Sequence, residues 1–102
     1  MTKKIIREKI LEAIKRDPHR KYIKKVSIFG SYAYGRPSKR SDVDVLIEFT
    51  PRAKIGLFEL FDIRDNMKKH VGKKVDLVTK GGLDKYIKEE ILANAQQIYQ
   101  KR

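Results

Sequence analysis

The stretch VSIFGSYAYGRPSKRSDVDVLIEF, residues 26–49, decides how the chain can fold. It opens on Val26 to Phe29, a short run of strand formers stopped by Gly30, and closes on Asp42 to Phe49, where apolar and polar residues alternate. In the second run Val43, Val45, Ile47 and Phe49 share one face of a strand, while Asp42, Asp44, Leu46 and Glu48 share the other. Two carboxylates therefore stand on one face at a strand entrance, their Cα atoms about 6.5–7 Å apart. At about 6 Å in an effective dielectric near 20 they repel by about 3 kcal/mol, which is large beside the ~5–15 kcal/mol that keeps a domain folded. A positive group must offset this. Lys39, Arg40 or another base can serve, and a divalent cation, which prefers hard oxygen ligands, serves better.

Working outward, Ile6, Ile10, Ala13 and Ile14 lie at helical spacing within residues 3–16, and Asp17-Pro18 ends that helix. Ser31 to Gly35 has room for one helical turn before Arg36-Pro37-Ser38 opens a loop. After Thr50-Pro51, Leu57, Leu60, Phe61, Met67 and Val71 trace a second helix, interrupted at Arg64, which snorkels to the surface, and stopped by Gly72 as C-cap. Lys73 to Thr79 predicts a third strand with Val75 and Leu77 on one face and Asp76 on the other. Gly81-Gly82 breaks the chain, and Leu83, Ile87, Ile91, Ala95 and Ile98 predict a last helix. The expected fold class is α/β (α+β): one domain over residues 1–102, with a small mixed sheet of about three strands backed by helices. The roughly dozen residues between the first two strands leave their relative direction open.

The 102 residues contain no cysteine, which excludes disulfides and cysteine-ligated zinc. No apolar run approaches the ~18 residues of a membrane helix, so a soluble, cytoplasmic protein is expected. With 25 Lys and Arg against 13 Asp and Glu, the net charge of +12 favours polyanionic partners: nucleotides, RNA or an acidic protein. The densest basic stretch, Lys15 to Lys25, reads first as a solvated face and second as an RNA or partner surface. His19 and His70 are solitary and read as surface residues. Tyr32, Tyr34, Tyr86 and Tyr99 are candidates to stack on a base, although a half-buried packing role is commoner.

If the strand carrying Asp76 lies beside the one carrying Asp42 and Asp44, the three carboxylates can bridge two Mg²⁺ ions, as phosphoryl or nucleotidyl transfer requires, with Asp76 placed to orient or deprotonate an attacking hydroxyl. Gly30-Ser31, after a strand and before a helical turn, offers backbone N–H groups and a hydroxyl to an anion. Ser41 either caps the strand entrance or touches a phosphate. Glu48 lies further along the strand and reads as a surface charge.

The succession GSYAYG, SDVDVLIEF and VDLV resembles the nucleotidyltransferase superfamily related to DNA polymerase beta, in its smallest form, the minimal nucleotidyltransferases. The resemblance spans nearly the whole chain. It implies the nucleotidyltransferase fold, with Gly30 and Ser31 holding the β and γ phosphates of ATP, Asp42 and Asp44 binding Mg²⁺, and Asp76 completing the site. It further implies an antitoxin that transfers AMP to a tyrosine hydroxyl of a HEPN-domain ribonuclease toxin. Tyr34 stands where many relatives have arginine in a GSxARG context, a phosphate contact for which Arg36 or Arg40 can substitute. The alternative function is a non-catalytic module that neutralises its partner, or binds RNA, by contact alone. Homo- and hetero-oligomers both remain open.

Overall fold

A computed structural model describes residues 2–102. The chain runs α1 (Lys3–Arg16), β1 (Ile23–Phe29), β2 (Val43–Phe49), α2 (Leu57–Val71), β3 (Val75–Thr79), α3 (Lys85–Asn94) and β4 (Gln96–Gln100), with 3-10 turns at Arg20–Tyr22, Gly30–Tyr32 and Lys80–Gly82. The sheet order is β3-β2-β1-β4. β1 is antiparallel to both β2 and β4, whereas β2 and β3 run parallel across the α2 crossover. This settles the direction left open by the short β1–β2 connection.

One core joins α1, through Ile6, Ile10, Ala13 and Ile14, to the dry face of the sheet and to Ile63, Met67 and Val71 of α2. Thr2 starts α1 by accepting the Ile5 N–H at 3.1 Å. Asp17 ends it and is buried: its carboxylate accepts the His19 N–H at 2.8 Å and the Asn66 side-chain amide at 3.1 Å, and that amide also donates to Ala13 O at 3.0 Å. Asn66 thereby ties α2 to the end of α1. Gly72 closes α2 in the left-handed conformation, φ 76°, its N–H donating to Lys68 O at 2.8 Å.

Four expectations need correction. The sheet has four strands, because the segment read as the end of the last helix is β4: Ile98 continues the helical spacing of Ile91 and Ala95, but QQIYQ pairs with the otherwise open edge of β1, whose backbone groups need partners. β1 begins at Ile23 rather than Val26. The buried stripe of α2 is Ile63–Met67–Val71, with Leu60 half-buried, whereas Leu57 and Phe58 are 68% and 85% exposed and Phe61 is exposed too. At 100° per residue Phe61 sits about 200° from Ile63 and Leu60 about 60°, which separates them. His19 and His70 are half-buried; His19 lies 3.7 Å from Asp62, and the His70 ring nitrogen lies 2.9 Å from Asn66 O.

Candidate active site

Phe29 pairs with Asp44 across the β1–β2 ladder, so Gly30 leaves the sheet beside the Asp44 carboxylate. Gly30 has φ 70°, and a Cβ there would run into Asp44 Oδ2. The chain then makes a tight turn in which the N–H groups of Ala33 and Tyr34 both donate to Gly30 O, at 3.0 and 3.1 Å. Gly35 recrosses this turn so closely that a Cβ on it would lie 2.8 Å from Ser31 Cα. The first amides of such a turn have no carbonyl partner within it. Ser31, the second residue of the turn, is half-buried.

Asp44 and Asp76 are direct partners in the parallel β2–β3 register, which sends both side chains off the same face of the sheet. Asp42 immediately precedes β2, and its Oδ2 lies 3.7 Å from Lys74 Nζ. The order β1, β2, β3 therefore lines up the Gly30 turn, Asp44 and Asp76. Burial raises the Asp44 carboxyl above its ordinary value, and the charges of Asp76 and then Asp42 push it the same way. These carboxylates thus sense one another.

Among the described residues no group of three or more His, Cys, Asp or Glu is gathered tightly enough to hold a metal ion as it stands. The donor set nevertheless suits a hard divalent cation. It is all carboxylate oxygen, two of its members face each other in register, and burial together with repulsion from its neighbours raises Asp44, a cost that a cation would relieve.

The loop carrying Asp42 is held by groups that sequence spacing did not reveal. Lys73 Nζ donates to the hydroxyl of buried Tyr32 at 2.7 Å and to Lys39 O at 3.0 Å, linking the 3-10 turn, the loop and the start of β3. Ser41 accepts the Ser38 N–H at 2.8 Å, and its own N–H donates to Ser38 O at 3.1 Å, so it closes the loop just before Asp42. Tyr32 is 1% exposed and is no platform for a base, while Tyr34 and Tyr86 are exposed. The base opposite Asp42 is Lys74, not Lys39 or Arg40. Glu48 is half-buried and lies 3.9 Å from Lys80. Lys73 and Tyr32 stand 41 positions apart, and only the buried hydroxyl gives a hint of the pairing.

Residues 7–98 match the family model described as nucleotidyltransferase domain. A Methanocaldococcus jannaschii protein carrying a provisional name as a protein adenylyltransferase is 40% identical over 72 residues, 68% of this chain and 69% of its own. A solved structure provisionally named a minimal nucleotidyltransferase superposes with TM-score 0.77 at 27% identity, covering 93% of this chain and 94% of that one. The Shewanella oneidensis complex of a tri-AMPylated HEPN toxin with its MNT antitoxin contains a chain of the same fold, with TM-score 0.69 at 14% identity, covering 98% of this chain and 74% of that one.

Proposed function

The chain belongs to the nucleotidyltransferase domain family, and on that premise we propose that it is a Mg²⁺-dependent protein adenylyltransferase, moving AMP from ATP to a tyrosine hydroxyl of a HEPN-type toxin and so acting as its antitoxin. The observation that carries this reading is the alignment of the Gly30 turn, Asp44 and Asp76 across three neighbouring segments. The adenylyltransferase name of the archaeal relative and the AMPylated toxin bound to the Shewanella antitoxin support it.

In this reading the amides after Gly30 and the Ser31 hydroxyl hold the β and γ phosphates, fixing the α-phosphorus over Asp44. Ser41 and Lys73 hold the loop that presents Asp42. Two Mg²⁺ ions bound through Asp42, Asp44 and Asp76 would supply charge neutralisation on the triphosphate and a lower pKa for the acceptor hydroxyl. Asp76 orients that hydroxyl and accepts its proton. The acceptor oxygen forms a bond to the α-phosphorus, the bond from that phosphorus to its bridging oxygen breaks, and pyrophosphate leaves. Residues 1–102 act as one catalytic domain, and the site of action is the cytoplasm; among the described residues no helix is long and apolar enough to cross a membrane.

Incubation with labelled ATP, Mg²⁺ and the partner toxin tests the reading. Wild-type protein labels the toxin, and Asp42→Asn with Asp44→Asn abolishes both the label and the neutralisation. Neutralisation that survives in the unlabelled double variant would instead establish inhibition by contact alone.

A further inference from the structure

A groove of about 310 Å³ runs between α2 and β3 and opens onto Asp76. Its walls carry Leu60, Phe61, Arg64, Lys68 and Lys74. The Gly30 turn lies on the β1 side of Asp44, and the groove lies on the β3 side of Asp76, so the two flank the carboxylates from opposite directions. We propose that this groove docks the acceptor, an acidic protein segment that presents an aromatic hydroxyl side chain to Asp76. The inference takes its chemistry from the transferase reading above, but docking by itself needs no nucleotide.

Three features select this occupant. The Arg64 guanidinium, held by Asp65 Oδ1 at 3.1 Å, lies 4.7 Å from the centre of the exposed Phe61 ring, and the two groups offer a π surface against which another aromatic ring can stack, while Lys68 and Lys74 carry the positive charge of the groove. The positive charge extends past the groove into an adjoining shallow depression lined by Lys68, Lys69, Lys73 and Lys74, which complements carboxylates along a peptide. The groove and this depression also contain Asp76 and Asp65. A continuous phosphate backbone laid along them would meet both like charges, whereas a peptide with carboxylates spaced by neutral residues avoids them. The exposed Phe61 ring becomes useful in this arrangement, because hydrophobic area beside a charged rim is what an interface anchor requires.

The probe is a random glutamate–alanine–tyrosine copolymer, in which neutral residues space the carboxylates, its binding measured by fluorescence anisotropy at low salt without ATP. Arg64→Glu with Lys68→Glu should weaken binding by about tenfold or more. Arg52→Glu with Lys54→Glu changes the net charge equally but lies in the exposed loop after β2, at the end of the strand away from Asp44, and should stay within about twofold of wild type. Thermal melts confirm folding, and Arg64→Gln with Lys68→Gln replaces the reversal pair if that pair melts early. Equal weakening by both reversals, no weakening by the groove pair, or tighter binding of poly(U) RNA with the same sensitivity would overturn the proposal. With ATP and Mg²⁺ added, the groove variant should raise the KM for the copolymer and leave that for ATP unchanged. Groove-dependent binding without any label on the copolymer would sustain the dock and count against the transferase reading.

Discussion

Gly30→Ala and Gly72→Ala form a matched pair that isolates the geometry of the site. Both glycines are left-handed, with φ 70° and 76°, so alanine at either costs about 1–2 kcal/mol of backbone strain. Around Gly72 a new Cβ meets nothing within 4 Å, whereas at Gly30 it collides with Asp44 Oδ2. The atom hit is the far end of a short side chain, which can rotate away, so the collision adds little to the loss of stability. What it removes is the position of the carboxylate. Both variants should therefore lose a similar ~1–2 kcal/mol, a fall in Tm of roughly 4–16 °C for a domain of this size. Displacing Asp44 by about 1 Å should lower transfer by about 10²-fold in Gly30→Ala, while Gly72→Ala keeps near wild-type turnover once the folded fraction is matched. Urea denaturation supplies the first quantity and labelled-AMP transfer at a temperature where both are folded supplies the second. Comparable activity in the two variants, or a Gly30→Ala protein that transfers normally, would refute the placement of Asp44 against the turn.

The raised Asp44 pKa makes the metal-free protein bind more protons folded than unfolded, so its stability should fall as pH rises from the ordinary carboxylate value through the raised one. Asp44→Asn should flatten that slope in denaturation curves measured across the acid range. Asn66→Ala removes the amide shared by Ala13 O and the buried Asp17 carboxylate and should cost about 1–3 kcal/mol in urea denaturation, with the KM for ATP unchanged. Lys73→Met, which frees the loop before Asp42 from Tyr32 and Lys39 O, should lower kcat with little change in the KM for ATP. Tyr34→Arg, at an exposed position on the turn, should lower the KM for ATP by restoring a cation beside the phosphates.

The carboxylate face was legible in part because strand periodicity is local: Asp44 leaves the polar side of β2 and the parallel register of β3 sets Asp76 beside it, whereas Asp42 precedes the strand. Gly72 announced the end of α2 by the conformation only glycine adopts freely. β4 was hidden because Ile91, Ala95 and Ile98 satisfy a helical period by coincidence, and only the open edge of β1 decides against it. α2 was misread in its first turns because Leu57 and Phe61 were assigned to the buried stripe, whereas both are exposed and Phe61 borders the groove. The Lys73–Tyr32 contact and the Lys74–Asp42 pair depend on how two distant segments meet, information that no local pattern carries.

The most direct measurement is anomalous diffraction from crystals soaked with Mn²⁺ and a non-hydrolysable ATP analogue. Metal density bounded by Asp42, Asp44 and Asp76, with the terminal phosphates against Gly30 and Ser31, is the predicted result. Phosphates bound away from that turn, or a metal that ignores Asp44 and Asp76, would contradict it.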